Sequence, residues 1–184
     1  MKRNFGFSLI EVLVTLVLTT IGILGVVAMQ SRAIQQTQDS VQRNTAVMLV
    51  NELVEIMRIN PAELFENTPP KTPLYNKLKS SSVFYKVKGS DFASIQTCSN
   101  PANAKTAQQQ LDCWAAQVQK SLPQAADTFR SHSYICPSST SGSCDGGSTL
   151  EVQLAWKVKD GTCLDSDGRA PDVTTCIYRT RVEL

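Results

Sequence analysis

Residues 7–29 read FSLIEVLVTLVLTTIGILGVVAM, an apolar run broken by a single charge, Glu11. As a helix rising about 1.5 Å per residue, the run is ~34 Å long and can cross a bilayer core of roughly 30 Å. Lys2 and Arg3 stand before it, so the positive-inside rule places the N-terminus in the cytoplasm and the rest of the chain outside. No small-residue cleavage site of the Ala-x-Ala kind follows, so the run reads as an anchor rather than an ordinary secretory signal. Two details go beyond a tether. Gly6 lies between the basic leader MKRNFG and the apolar run, where a protease can cut ahead of the membrane segment. Glu11 would remain after that cut, and an ionisable group in hydrocarbon costs at least ~2.5 kcal/mol, which marks it as functional. A free amino terminus at Phe7, on the same chain or on a neighbour, is the obvious cationic partner.

The string from Gly6 through Phe7, Ser8, Leu9, Ile10 and Glu11 to Val14 resembles the class III signal of type IV pilins and of type II secretion pseudopilins. The resemblance implies that a prepilin peptidase cuts between Gly6 and Phe7 and methylates the amine of Phe7. It also implies that Glu11 neutralises the amine of an adjacent subunit during assembly.

The helical pattern continues past the apolar run. Ile34, Val41 and Met48 recur every seven residues, and Leu49, Leu53, Ile56 and Met57 keep the three-and-four spacing. Gln30, Arg32, Gln35, Gln36, Asp39, Gln42 and Arg43 fill the polar positions. Pro61, with Asn60 before it, ends the helix near Ile59. The expected organisation is a leader over 1–6, a membrane or filament-core helix over 7–29, an amphipathic continuation over 30–60 and a head over 61–184. Gly22 and Gly25 in the membrane run serve either close helix packing or a weak point that extends on assembly.

The head reads as α+β. Residues 83–87 suggest a short strand, and 104–122 a helix with Leu111, Trp114, Ala115 and Val118 on one face and Pro123 as its stop. Strands are expected at 133–136 and 149–158. In the second, Leu150, Val152, Leu154 and Trp156 alternate with Glu151, Gln153, Ala155 and Lys157 as in a half-buried sheet. The C-terminal CIYRTRVEL supplies a partner strand across the loop 161–172. The result is a long helix on a small antiparallel sheet.

All six cysteines lie in the head: Cys98, Cys113, Cys136, Cys144, Cys163 and Cys176. In a domain facing away from the cytoplasm they read as a disulfide framework. Fifteen pairings are possible. Local pairing (98 with 113, 136 with 144, 163 with 176) is preferred because each pair brackets a loop rich in Gly, Ser, Asn or Asp. Zinc and redox roles fit poorly, with no Cys-x-x-Cys and one histidine, His132, which reads as structural. Asp165, Ser166, Asp167 and Gly168, near Asp160 and Asp172, begin like a calcium loop, but the full spacing is missing and a solvated turn is the better reading. Arg179 and Arg181 are expected on one solvated face or in a subunit contact. No cofactor and no metal are implied.

Charge narrows the function further. The chain of 184 residues carries 18 Lys plus Arg against 16 Asp plus Glu. Removing Lys2 and Arg3 with the leader leaves 16 against 16. A near-neutral subunit is no nucleic-acid binder by charge, and a competence pilin would need a basic stripe. A membrane-anchored enzyme would need a nucleophile and base, and none can be picked out.

Residues 52–61, ELVEIMRINP, and the segment from Asp112, Cys113 and Trp114 to Leu122 and Pro123 are similar to PilV-type minor pilins. That resemblance implies a structural subunit of a tip complex that primes pilus assembly in the inner membrane and carries an adhesin. The implied partners are other minor pilins and the major pilin, the tip adhesin, the prepilin peptidase, the assembly platform and membrane lipid. A minor pseudopilin of type II secretion is the alternative.

Overall fold

The long helix predicted from the N-terminal pattern is α1, Leu9–Ile59. This computed structural model describes residues 8–66, 78–92, 96–98, 100–159, 163 and 172–184. The chain forms two units, Met1–Gln38 and Asp39–Leu184, so α1 contributes to both. Its end falls where Pro61 dictates. Asn60 donates its side-chain amide to the Ile56 carbonyl at 2.8 Å, and Pro61 opens the short helix α2, Pro61–Leu64.

Within the second unit, α1 buries Ala46, Leu49, Val50, Leu53, Val54 and Met57. The seven-residue row chosen from sequence is not part of that stripe: Ile34, Val41 and Met48 are exposed, Met48 by 71%. The buried row begins instead with polar residues. Asp39 is buried and ion-paired to Arg43 at 3.0 Å, while Gln42 accepts a hydrogen bond from the indole of Trp156 at 2.9 Å. A polar group inside a core is tolerated when it is paired, and hydropathy alone does not see the partner.

Helix α3, Ala107–Ser121, starts three residues later than expected, because Thr106 forms a capping box with Gln109. Leu111, Trp114, Ala115 and Val118 are buried as the pattern requires. The Trp114 indole donates to the Leu49 carbonyl at 2.7 Å and locks α3 onto α1. An unexpected helix, α4 (Ala125–Ser131), follows Gln124, which sits in the left-handed region at φ 47. Thr128 of α4 donates its hydroxyl to the Ala155 carbonyl at 2.7 Å.

The sheet contains β1 (Tyr134–Ser138), β2 (Thr149–Lys157) and β3 (Thr175–Val182), antiparallel in that order. The architecture is α+β, as the sequence indicates. Residues 83–87 form no strand; they contribute one bridge, Lys86 to Ile135, after a turn in which the Ser82 hydroxyl accepts from the Phe84 amide. Strand β2 is buried on both faces rather than one. Its even positions enter the core with α1 and α3. On its odd face, the loop bounded by Cys136 and Cys144 folds back, and the Gly142 amide donates to both Glu151 oxygens at 2.8 and 3.0 Å.

Three disulfides brace this unit: Cys98–Cys113, Cys136–Cys144 and Cys163–Cys176, with Cα separations of 4.6, 5.5 and 5.6 Å. Each closes a short local loop and lowers the entropy of the unfolded chain by an amount worth roughly 2–3 kcal/mol.

Candidate functional site

The first unit presents a helix without a core. Every large apolar side chain from Leu9 to Met29 is exposed, and the span is long and apolar enough to cross a membrane. Its polar atoms are largely satisfied within the helix. The hydroxyls of Thr15, Thr19 and Thr20 donate to the carbonyls of Val12, Thr15 and Val17 at 2.8 to 2.9 Å. That is how hydroxyls become tolerable in hydrocarbon. Glu11 is the exception. It sits in the first turn, where its charge suits the helix dipole, and its backbone amide donates to the Ser8 carbonyl at 3.0 Å. Among the described residues no side chain pairs with its carboxylate, and the surface around it is apolar. The helix runs unbroken through Gly22 and Gly25, where an added Cβ would meet nothing within 4 Å. Gly6 and Phe7 lie outside the described residues.

The second unit holds the other residues singled out from sequence. Arg179 is largely covered, its side chain 17% exposed. It donates to Gln153 at 2.8 Å, lies 3.6 Å from the fully buried Glu151 and covers the Tyr134 ring. Tyr134 in turn donates its hydroxyl to Glu151, and burial, reinforced by that hydrogen bond, raises the pKa of the phenol. Arg181 is exposed and reaches the Ser138 and Ser139 carbonyls at 3.1 and 3.0 Å. This network fastens the Cys136–Cys144 loop to the sheet. Asp145 completes it, held well below the usual carboxylate range by the Ser139 hydroxyl and amide, with Ser143 and Thr140 adding to them.

His132 is half-buried at the end of α4, and its pKa is lowered by burial first and then by Lys88. Asp172 accepts from the Thr174 amide and hydroxyl at 2.8 Å and from the Thr175 hydroxyl at 3.0 Å. It therefore caps a turn ahead of β3. Asp160 and Asp165–Gly168 lie outside the described residues.

Sequence reading missed Lys86. It is 2% exposed, donates to the carbonyls of Ser133, Arg130 and Val87 at 2.6, 3.1 and 3.4 Å, and lies 5.6 Å from the Phe129 ring centre. Burial pushes its pKa down to about 8. Between pH 8 and 9.5 the unfolded chain then holds more of this proton than the folded one, so stability rises with pH across that window. The expected gain is about 1.5 kcal/mol. Denaturant midpoints over this range should show the slope in the native chain and lose it in Lys86→Met.

These arrangements brace a structure. The functional signal is concentrated in the first unit, and it continues into the chain that follows. Residues 1–27 match the prokaryotic N-terminal methylation motif, and residues 28–120, just over half of the chain, match the family described as type IV pilin Tt1218. The chain belongs to the Tt1218-like type IV pilins. Comparison with curated proteins and with solved structures returns no match. Membership in this pilin family implies processing by a prepilin peptidase and assembly with other pilins. The family is structural, its methylation motif and the long apolar helix point to membrane anchoring, and three disulfides brace the head. The family match covers α1 beyond Val27, α2 and nearly all of α3, the region in which Trp114 binds α1.

Proposed function

We propose that the protein is a minor pilin of a type IV pilus, a subunit of a tip or priming complex that initiates assembly and presents an adhesin. The observation that carries this reading is the Glu11 carboxylate, unpaired among the described residues, on the otherwise apolar and exposed 9–29 stretch of α1 and within the methylation motif matched over residues 1–27. In this reading residues 1–6 are removed, Phe7 becomes the N-methylated terminus, residues 7–29 lie in the inner membrane or the filament core, and residues 30–60 continue as an amphipathic helix. The head, 61–184, faces the periplasm. An oxidising compartment is consistent with three disulfides and no free cysteine among the described residues. The PilV-like segments at 52–61 and 112–123 favour the pilus over a type II secretion machine.

Two measurements test this. Intact-mass analysis of protein made with a prepilin peptidase should show loss of residues 1–6 and one added methyl group on Phe7. Crosslinking in native membranes should recover other minor pilins. Recovery of secretion components instead would transfer the protein to the alternative system.

A further inference from the structure

A groove crosses the head between two fixed walls. One is the ribbon in which Phe65 bridges Leu78 and the Lys79 amide donates to the Leu64 carbonyl at 2.7 Å. The other is the Cys136–Cys144 loop, held by its disulfide and by the Gly146 amide on the Pro137 carbonyl at 3.2 Å. Between them lies a cavity of about 560 Å³, well within the size of ligand pockets. A second, of about 220 Å³, shares Leu78 and Ser148 with the first and extends to Val182 and Glu183. Two adjoining cavities make a trough, which suits an extended chain better than a compact molecule.

The lining is mainly apolar. Leu78, Pro137 and the Cys136–Cys144 disulfide contribute to it, together with Val87, which is 55% exposed. Beyond α1, Val87 and Val173 are the only exposed large apolar side chains among the described residues. Tyr85 lines the same cavity, and its hydroxyl is shut off from solvent with no hydrogen-bond partner among the described residues. A buried donor without an acceptor is a standing cost that phenylalanine at this position would avoid.

The unpaired charge along the trough is negative. Glu66 at the larger cavity and Glu183 at the smaller one are exposed and have no cationic partner among the described residues. Lys79, the one cation among the described lining residues, turns its ammonium to the Ala62 carbonyl at 2.5 Å. An anionic lipid surface would meet these carboxylates unfavourably, and so would the same groove of a second copy. A cationic segment would meet them favourably.

We propose that this groove binds an extended segment of a partner protein that carries a large apolar side chain between two cationic ones. The apolar side chain enters the larger cavity, and the cationic groups meet Glu66 and Glu183. As the segment parts the rim, one of its backbone carbonyls accepts from the Tyr85 hydroxyl. Pocket filling supplies the affinity and the two carboxylates select the partner. The groove lies wholly within the disulfide-braced unit, so its test stands apart from the role of Glu11 and from the choice of pilin system.

The test uses the full chain in phosphatidylcholine nanodiscs, which leave no free detergent to fill the groove. Three fluorescein-labelled heptapeptides serve as probes: Lys-Thr-Val-Leu-Val-Thr-Lys, a twin with Glu for both Lys, and a twin with Ser for Leu. The first should bind saturably at submillimolar concentration, above the signal of empty discs. The acidic twin should bind at least about fivefold more weakly, and the serine twin at least about tenfold. Exchanging both exposed carboxylates (Glu66→Lys with Glu183→Lys) should leave the denaturation midpoint unchanged and reverse the preference between basic and acidic peptides. Tyr85→Phe should raise the midpoint of the free chain yet weaken the basic peptide at least about threefold. No saturable binding at millimolar peptide, equal affinity for the basic and acidic peptides, or full binding by Tyr85→Phe would overturn the proposal. So would a dimer of the chain that the double lysine variant dissolves, because the groove would then belong to a second copy.

Discussion

Replacing Trp114 by Ala is expected to destabilise the head by about 4 kcal/mol, the range found for large aromatic deletions in closed cores. Trp114 is 1% exposed, its indole N–H is held by the Leu49 carbonyl at 2.7 Å, and its ring lies 6.0 Å from that of Phe129. The side chain therefore joins α1, α3 and α4 at one point. Truncation removes the apolar volume, the aromatic contact and the one side-chain bond between α3 and the buried Leu49 carbonyl. The site is poorly able to collapse, because Cys113 beside it is tied to Cys98 and fixes the position of α3. Trp114→Phe separates the contributions. It keeps most of the volume and the Phe129 contact but drops the hydrogen bond, and Leu49 retains its intrahelical donor, so a loss of about 1–2 kcal/mol is expected. Denaturant unfolding with the disulfides intact measures both. A loss under about 1.5 kcal/mol for Trp114→Ala would mean that α1 and α3 are held together chiefly by other contacts. Against the 5–15 kcal/mol of an ordinary domain, the full loss removes a large share of the head's stability and should lower its denaturation midpoint markedly.

The elements that sequence located are those specified by neighbours along the chain. The end of α1 is set by Pro61, the end of α3 by Pro123, and β2 by the alternation of Leu150, Val152, Leu154 and Trp156 with mostly polar residues. The disulfides belong to the same class, since each closes a local loop of 8 to 15 residues. What sequence could not place is specified at long range. Gln42 looks like a solvent position on a helix until Trp156, 114 residues away, donates to it. Glu151 reads as the outer face of a strand, yet it is buried by a loop that only the fold brings over it. Lys86 is enclosed by three carbonyls, two of them more than 40 residues distant. Helix α4 gives no start signal because Gln124 offers no side-chain cap. The candidate functional segment was legible for a different reason: a class III signal is read by its processing enzyme as a linear motif, so its information lies in order and spacing.

Glu11→Ala is expected to improve the helix as a membrane segment and impair it as a subunit. Taking a carboxylate out of hydrocarbon removes a burden of at least ~2.5 kcal/mol, so the variant should insert in the membrane at least as well as the native chain. The head, a separate unit whose core begins beyond Asp39, should keep its unfolding midpoint to within about 0.5 kcal/mol. Under the proposed role, the charge is carried at that cost because the amine of a neighbouring Phe7 needs a partner among apolar helices. An unpaired ammonium in such a setting costs several kcal/mol, and a penalty of 3 kcal/mol already lowers incorporation by roughly a hundredfold. Glu11→Gln discriminates further, since it keeps the shape and the hydrogen-bonding capacity but cannot neutralise a charge. It should therefore fail nearly as badly as Ala. Quantifying the subunit in sheared pili against the membrane fraction gives both numbers from one sample. Glu11→Gln entering pili at the native level would show that the position needs polarity rather than charge, and native levels for both variants would remove Glu11 from the assembly mechanism.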